Sequence, residues 1–479
     1  MESQILRWLL NPGFNSSPFK ESRFFQWFSR LRDRILFRSP ISTNKILTTA
    51  SFLLSALIFA CIFIPRVPVD SIIPFYWVDF RTEDFLLLIV AVFTFALIPA
   101  KIALPEIPRV EKAFLWFLLA AQSSILSGLL YRTSDKPFLS LLYLLKWTEY
   151  FLVFVLTCRL TAHKKAARFF LRSFFLLGLA VAAFGYWEHC FPAAKAIYPN
   201  YYRLFERPPF HGDANHIGGL LVLWLGFSIG LFLKAKDHRA ESLLLTCILF
   251  VFFPLIWTYS RKSYFALAGA VTFSFLFRGN RKKLLFLGSL FVILSLLLPT
   301  RLSERLTDLG EAFSSADPFH SSWAGNWVMW KEAFWNFEKF LLFGSGLGSR
   351  HRLYYESQYV LVLAETGFVG FTAFIFLIVS LMREVASAVH RNLTALDSGV
   401  VLGWVIGFIG LLIHNGSCVS WTVSKIAIPF WFLTAAALTY LRQILTSQQK
   451  MPRASPGYLE QYLPVVAGHG QVAERSEVP

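Results

Sequence analysis

The sequence predicts an all-α fold: a polytopic membrane helix bundle of about 12 transmembrane helices, with one large extracytoplasmic loop that contains short helices. Three observations indicate this class. The chain has 479 residues, of which 55% are hydrophobic, above the usual share in a soluble domain. The apolar residues are gathered in runs of about 17–22, the length at which a helix crosses the hydrocarbon core of a bilayer. The 51 phenylalanine and 15 tryptophan residues suit lipid-facing and interfacial positions.

Twelve apolar runs can be located along the chain, and each is predicted to form one span. They lie at about 46–65, 84–100, 112–131, 138–158, 169–187, 214–234, 242–259, 263–278, 283–299, 357–382, 398–416 and 424–442. The eighth run, which directly follows Arg261 and Lys262, is short for a helix that crosses a bilayer.

The distribution of charge gives the expected orientation. The net charge of +17 suits nucleic acid or anionic lipid, but in a membrane protein it is typical of cytoplasmic loops. The amino-terminal tail is basic and broken by polar residues, unlike a secretory signal peptide. If it is cytoplasmic, so are the basic clusters of every second loop, at 101–112, 164–168, 234–239, 278–283 and 383–391. We therefore expect a multi-pass membrane protein with both termini in the cytoplasm and no nucleic-acid partner.

The spans divide the chain into five parts. These are a basic cytoplasmic tail at 1–45, transmembrane helices at 46–299, a large periplasmic loop at 300–356, further transmembrane helices at 357–442, and a disordered cytoplasmic tail at 443–479. A loop of this length is unusual in a compact bundle and is often functional. An amphipathic helix, either packed on the bundle or lying in the membrane interface, is predicted from the helical spacing of Trp323, Trp327 and Trp330.

The large loop ends in the stretch GSGLGSRH, which begins at Gly344 and looks like a phosphate-binding glycine loop. It lacks the Lys-Ser/Thr pair of a P-loop, no strand precedes it, and ATP is not expected outside the cytoplasm. Two interpretations remain open. The glycines allow a sharp turn before the tenth span, or the backbone amides of the stretch line an anion site.

Several basic residues of the outer loops are candidates for binding an anion. They are Arg261, Lys262, Arg203, Arg207, Arg350 and Arg352. The alternative for most of them is a solvated surface charge. Arg261 differs because it lies in a very short connection between two apolar runs, which holds it near the membrane surface. A guanidinium there can bind two phosphate oxygens at once.

Motifs spread along the chain resemble the O-antigen ligase / O-antigen polymerase superfamily of polytopic bacterial membrane proteins. WTYSRKSYFALAG is similar to the Ser-Arg turn of that family. The large loop then contains the helix NWVMWKEAFWNF, the glycine pair in LLFGSGLG, and finally ESQYVLVLAETGFVG. The resemblance covers about 46–442, and the order and spacing of the motifs carry more weight than any one of them.

This resemblance implies a location in the bacterial inner membrane. It also implies transfer of a glycan from a polyprenyl (undecaprenyl) diphosphate to a sugar hydroxyl at the periplasmic face, as in exopolysaccharide or lipopolysaccharide synthesis. The six basic residues given above are then candidates to neutralise the leaving diphosphate without a metal. Glu356, or alternatively His351, is the candidate base that accepts the proton of the hydroxyl. No cofactor is implied, and the single histidines predict no metal site. The expected partners are the lipid-linked glycan, a glycan or lipid acceptor and membrane lipid, with other polysaccharide assembly proteins as further candidates.

Two departures from the family bear on the reaction. Members often carry Arg four residues before the loop tryptophan, where this chain has Asn326 before Trp330. Ligases often carry His-Asn at the start of the tenth span, where this chain has Glu356-Ser357. An acidic residue there favours a polysaccharide polymerase. The alternative is a ligase that transfers the glycan to lipid A-core or to a protein.

A transporter or lipid flippase without chemistry is the competing class. Transporters usually place charges and broken helices near the middle of the membrane, in two related halves. This chain has few such charges and no visible halves, and its polar residues concentrate in the outer loops, which favours an enzyme. Lys146 and Glu149 are predicted to pair within one helix. His414 and Asn415 are expected either to join the site or merely to meet the membrane interface.

Overall fold

The computed structural model describes residues 43–64, 82–97, 107–133, 137–161, 164–191, 204–205, 210, 214–275, 280–297, 322–349, 355–389 and 393–449. Within them every regular element is an α-helix, which confirms the predicted all-α fold. The helices are α1 (Thr43–Phe63), α2 (Thr82–Leu97), α3 (Pro108–Leu130), α4 (Pro137–Leu160), α5 (Lys164–Cys190), α6 (Ala214–Lys234), α7 (His238–Trp257), α8 (Arg261–Ser274), α9 (Arg281–Leu297), α10 (Ser322–Lys339), α11 (Gln358–Val389), α12 (Ala395–Asn415) and α13 (Ser424–Gln449).

Among the described residues, eight helices are long and apolar enough to cross a membrane: α3, α4, α5, α6, α7, α11, α12 and α13. The other four spans are predicted where helices α1, α2, α8 and α9 lie. None of these four helices is both long enough and apolar enough to count as a membrane span. Helix α8 has 14 residues, and at about 1.5 Å per residue it is roughly 21 Å long, less than the ~30 Å core of a bilayer. The structure therefore supports a polytopic membrane protein, and the count of about twelve spans stays a prediction.

Helix α13 lies at the centre of the bundle. The apolar part of this helix is buried along its whole length, against α4, α5 and α6. The ring of Trp431 packs edge-on against Phe154 at 5.9 Å, and the indole N–H of Trp404 in α12 donates to the hydroxyl of Thr434 at 3.1 Å. Helix α13 therefore packs in one core with a helix from early in the chain, α4, and with its neighbour α12.

Helices α6 and α12 approach each other unusually closely because glycines face each other along their contact. A Cβ added at Gly230 would lie 2.1 Å from the backbone nitrogen of Gly403, and one at Gly226 would lie 2.5 Å from the backbone of Gly407. Small residues spaced four apart allow backbones to approach in membrane bundles, where van der Waals packing drives association. This contact fixes the position of the end of α12 beside the start of α6.

The connection 416–423 between α12 and α13 is not helical and is largely buried in the bundle. Side chains of two other helices bind backbone groups of this connection. The hydroxyl of Tyr150 donates to the carbonyl of Thr422 at 3.0 Å, and the N–H of Trp421 donates to the side-chain oxygen of Gln358 at 3.1 Å. These contacts hold the non-helical connection against α4 and α11.

The glycine-rich stretch at the end of the large loop packs on a break in α11. The break lies at Gly367, whose φ of 64° is left-handed. The N–H groups of Ser345 and Gly346 donate to the carbonyls of Ala364 and Glu365, at 3.0 and 3.1 Å. These amides therefore bind the carbonyls next to the helix break rather than an anion. Of the two open interpretations, the structure supports the turn.

Helix α10 confirms the amphipathic helix predicted in the large loop. On its inner side Ala333 packs with Tyr355 and Val419, and the side-chain amide of Asn336 donates to the hydroxyl of Tyr355 at 3.2 Å. On its outer side Trp327 remains more than half exposed. One face of α10 therefore packs on the bundle beside the start of α11.

The predicted division into five parts can be compared with the structure only in part. Helix α13 continues to Gln449, beyond the end of the last span expected at 442. Residues 1–42, 301–321 and 450–479, which include most of both tails and part of the large loop, lie outside the described residues. The boundaries of the five parts stay predictions.

Candidate functional site

Five helix ends meet at one end of the bundle: the starts of α6, α8, α11 and α13 and the end of α12. An ion pair joins Lys262, in the first turn of α8, to Glu356, just before α11. The hydroxyl of Ser357 donates to the carbonyl of Asn415, the last residue of α12, at 3.4 Å. Segments far apart in the sequence therefore form one polar cluster at this end.

The ion pair of Lys262 and Glu356 joins two residues that the sequence proposed for different tasks. Lys262 was expected to bind diphosphate and Glu356 to accept a proton. Their side chains are 18% and 30% exposed, so both are held by the protein and both reach the surface. The pair therefore places a cation and a carboxylate in direct contact at an accessible point of the cluster.

A strained turn sets the position of Arg261. Tyr259 adopts a φ of 50°, which is uncommon for a residue with a side chain. The turn is closed by Thr258, whose hydroxyl donates to the carbonyl of Leu255 at 2.6 Å and accepts from the N–H of Ser260 at 3.2 Å. Arg261 is the first residue of α8 and is partly buried. The free N–H groups and the dipole of a helix start favour an anion beside it.

His414 is buried behind this turn and has a hydrogen-bond partner on each ring nitrogen. Nδ1 lies 2.7 Å from the hydroxyl of Ser420, and Nε2 lies 3.3 Å from the hydroxyl of Ser263. The hydroxyl of Ser263 also donates to the hydroxyl of Ser260 at 3.0 Å. His414 therefore joins the site rather than the membrane interface, and it connects α12 to the turn before α8.

The sequence did not indicate a further pair, Cys418 and His216. The thiol of Cys418, in the connection after α12, is hydrogen-bonded to the imidazole of His216 in the first turn of α6. Burial raises the pKa of the Cys418 thiol, but the charge and hydrogen bond of His216 and the charge of Lys262 outweigh it, so the pKa lies below its ordinary value. A lone cysteine beside an apolar run gives no signal for such a contact.

The remaining predicted residues, His351, Arg350, Arg352, Arg203 and Arg207, lie outside the described residues. Part of the loop that carries the last two is described, however. The N–H of Leu204 donates to the carbonyl of Trp257 at 3.3 Å, and the N–H of Phe205 donates to the carboxylate of Glu188 at 2.7 Å. Since Trp257 ends α7, this loop contacts the bundle close to the turn before Arg261.

A second group of charges lies between α2 and α4. The predicted pair of Lys146 and Glu149 is present at 3.0 Å, and Asp84 joins it at 2.5 Å from the ammonium. The sequence could not indicate Asp84, because α2 and α4 are separated by α3. The described residues hold no cluster of three or more His, Cys, Asp or Glu side chains able to bind a metal ion.

In a comparison with known proteins, a family model matches this part of the chain. The model of a family described as O-antigen ligase matches residues 245–375. A comparison with curated proteins gave no match. The matched stretch contains the turn before α8, the described part of the large loop and the first half of α11, and it therefore includes Arg261, Lys262 and Glu356.

Proposed function

We propose, from a family match that supports membership of the O-antigen ligase superfamily, that this multi-pass bacterial membrane protein is a glycosyltransferase that uses a polyprenyl-diphosphate-linked glycan. The observation that carries the proposal is the ion pair of Lys262 and Glu356, inside the matched stretch. A reaction of this kind needs a cation for the leaving diphosphate and a base, such as a carboxylate, for the attacking hydroxyl. The site presents both in contact.

In the proposed reaction the diphosphate of the donor binds at the start of α8. The guanidinium of Arg261 and the ammonium of Lys262 donate to its oxygens, and the dipole of α8 adds to the attraction. No metal is needed in this scheme, because two cations and a helix start balance the charge that develops on the leaving diphosphate. Arg203, Arg207, Arg350 and Arg352 are further candidates for the same diphosphate.

The acceptor hydroxyl then attacks the anomeric carbon of the donor sugar. The bond from that carbon to the diphosphate oxygen breaks, and its electron pair leaves with the polyprenyl diphosphate. The proton of the hydroxyl moves to the carboxylate of Glu356, with His351 as the alternative acceptor. When Lys262 turns to the diphosphate it releases Glu356, so donor binding itself prepares the base.

A polymerase that lengthens the glycan by repeat units is favoured over a ligase that makes one transfer to lipid A-core or protein. The ground is Glu356-Ser357, which stands where ligases of the family often carry His-Asn. A deletion strain separates the two. Loss of the glycan ladder with a single repeat retained indicates a polymerase, whereas an intact lipid-linked ladder that lacks its final acceptor indicates a ligase.

The proposal is tested most directly with purified protein in proteoliposomes that contain the lipid-linked glycan. Formation of longer or transferred glycan, with release of polyprenyl diphosphate, is the expected result. Movement of unchanged lipid-linked glycan between leaflets, with no new glycosidic bond, would overturn it in favour of a transporter. The proposed orientation, with the site over the periplasm of the inner membrane and both termini in the cytoplasm, is tested by labelling single cysteines at 327 and 239 from either side.

A further inference from the structure

Two residues beside the site hold a left-handed backbone that residues with a side chain rarely adopt. Phe205 has a φ of 66°, and Tyr259, in the turn before α8, has a φ of 50°. A hydrogen bond connects the two turns, since the N–H of Leu204 donates to the carbonyl of Trp257 at 3.3 Å. Backbone strain of this kind persists only where the surrounding structure enforces it, and it is frequent at functional sites.

The carboxylate of Glu188 holds the first of these turns. Glu188 lies in the last turn of α5 and is 1% exposed. It accepts the N–H of Phe205 at 2.7 Å, and Phe205 is itself fully buried. A charged acceptor makes this a strong hydrogen bond, and its loss would leave a buried N–H unpaired, which costs free energy. The end of α5 therefore fixes where this turn lies.

The same turn of α5 also holds Trp257. The ring of His189 stacks flat on the indole of Trp257, with the ring centres 3.9 Å apart. Trp257 ends α7, and Arg261 begins α8 four positions later. The hydroxyl of Tyr264 in α8 donates back to the carbonyl of Ile256, so the end of α7 and the start of α8 are tied together. The end of α5 therefore contacts the unit that carries Arg261.

We propose that Glu188 is a positioning residue that directs Arg261 towards the donor diphosphate. It keeps the turn at Phe205 against Trp257, and this contact sets how the turn at Tyr259 presents Arg261. The inference rests on the proposed function, in which Arg261 binds the diphosphate. A guanidinium that binds two phosphate oxygens depends on its direction, and a misplacement of about 1 Å can lower the rate of a reaction roughly 10²-fold.

A double-mutant cycle with Arg261 tests this positioning separately from stability. Purified protein in detergent is titrated with polyprenyl-diphosphate-linked glycan, and the thermal midpoint of each variant is measured alongside. Glu188→Met, which keeps the length of the side chain but removes the acceptor, should weaken donor binding roughly tenfold, because the bidentate contact loses its geometry. In the Arg261→Ala background the same change should have less than about a twofold effect, because the group that Glu188 positions is gone.

Glu188→Gln is the conservative variant, because its amide oxygen can still accept the N–H of Phe205. It should recover most of the donor affinity. If it binds the donor as weakly as Glu188→Met, the negative charge acts directly and the positioning role is overturned. Gly185→Ala is the second variant, in case Glu188→Met does not fold. Its added Cβ would lie 3.0 Å from the tip of the Phe205 ring and 3.1 Å from Cβ of Pro254, so it displaces the same turn and should show the same dependence on Arg261.

Asp397→Leu is the matched control. Asp397 is also a buried carboxylate, and it accepts the hydroxyl of Tyr440 at 2.6 Å at the start of α12, the opposite end of that helix from the site. Its loss should lower the thermal midpoint and leave donor affinity unchanged in both backgrounds. If Glu188→Met and Gly185→Ala weaken donor binding by the same factor with and without Arg261, they act independently of it and the inference is overturned.

Failure of the proposed function looks different from failure of this inference. In that case the wild type binds the lipid-linked glycan but forms no new glycosidic bond, and the binding cycle still decides the role of Glu188. A wild type that binds none of this lipid would overturn both proposals.

Discussion

Lys262 and Glu356 are 94 positions apart in the sequence and form an ion pair between the first turn of α8 and the segment that leads into α11. The pair connects the two halves of the stretch that matches the O-antigen ligase family. An exchange of partners by Lys262, from carboxylate to diphosphate, would couple donor binding to release of the base. The two steps, donor binding and release of the base, can be measured separately as donor affinity and as the rate of glycan transfer.

Glu356→Gln should lower the rate of glycan transfer by roughly 10²–10⁴, the usual contribution of a general base. Donor affinity should rise, because Lys262 no longer has to leave a carboxylate to reach the diphosphate. The amide keeps the shape of the side chain but cannot accept the proton. Turnover of lipid-linked glycan in proteoliposomes measures the effect.

Glu241→Gln is the matched control for that variant. Glu241 pairs with Lys283, and the two side chains are 23% and 19% exposed, close to the values of the proposed catalytic pair. Glu241 lies in the first turn of α7, whose other end leads to the turn before α8. If both variants lose activity equally, loss of an ion pair explains the effect, and Glu356 is not the base.

Arg261→Ala should reduce transfer by about 10²–10³, the range seen when one donor that stabilises developing charge is removed. Arg261→Lys should recover only part of the rate, because an ammonium cannot bind two phosphate oxygens in the planar manner of a guanidinium. Arg239→Ala, an exposed arginine in the first turn of α7, should be neutral. If Arg261→Ala inserts normally into the membrane and keeps near-full activity, Arg261 does not bind the diphosphate.

The helices follow from the sequence because hydropathy is a local property. The predicted runs at 214–234 and 424–442 match the starts of α6 and α13, and the first also matches the end of α6. The end of α13 at Gln449 was missed, since a polar helix end that continues past the apolar run carries no hydropathy signal. The short α8 shows the limit of counting spans by length alone.

The site could be predicted only as a set of residue types. Glu356 and Lys262 each had a motif of their own, but their contact depends on how α8 and α11 pack, which no local pattern records. The same holds for His216 and Cys418. The glycine stretch was ambiguous because its role depends on the carbonyl of Glu365, which belongs to another element.

Cys418 should make the stability of the protein depend on pH. The folded protein holds the pKa of this thiol below its ordinary value of 9.0. Between these two pKa values the unfolded chain binds more protons, so the stabilisation grows as pH rises and is lost as pH falls through the folded pKa. In detergent, the thermal midpoint of the wild type should rise relative to that of Cys418→Ser as pH increases through this window.

The residues that face this thiol, His216, Lys262 and Glu356, are kept in that comparison, so the difference reports the thiol together with its coupling to them. Cys190→Ser, which alters an exposed free cysteine at the end of α5, should show no such trend. A gap between wild type and Cys418→Ser that is constant with pH, or that shrinks as pH rises, would contradict the prediction.

Gly344→Ala should separate the glycine-rich stretch from α11. Its φ of 72° is left-handed, and an added Cβ would lie 2.4 Å from the backbone oxygen of Glu365. A side chain in that conformation costs roughly 1–2 kcal/mol before the clash is counted. Limited proteolysis should cut the large loop faster in this variant, and transfer should fall because the loop leads into Glu356. Equal cleavage of the variant and wild type would show that the contact does not hold the loop.

The close contact of α6 and α12 makes the last prediction a test of the whole bundle. In Gly403→Val the first added carbon would lie 2.3 Å from the carbonyl oxygen of Phe227, a backbone atom that cannot rotate away. The two helices must separate, and overpacking of this kind costs about 1–3 kcal/mol or more. Because α12 carries His414 and Asn415 at its end, we expect both a lower thermal midpoint in detergent and weaker donor binding. Gly288→Ala in α9 is the control, since nothing lies within 4 Å of its added Cβ, and the change should be neutral or slightly stabilising. If Gly403→Val unfolds at the same temperature as Gly288→Ala, then α6 and α12 do not approach as closely as described, and the position of His414 beside Ser263 at the start of α8 loses its main support.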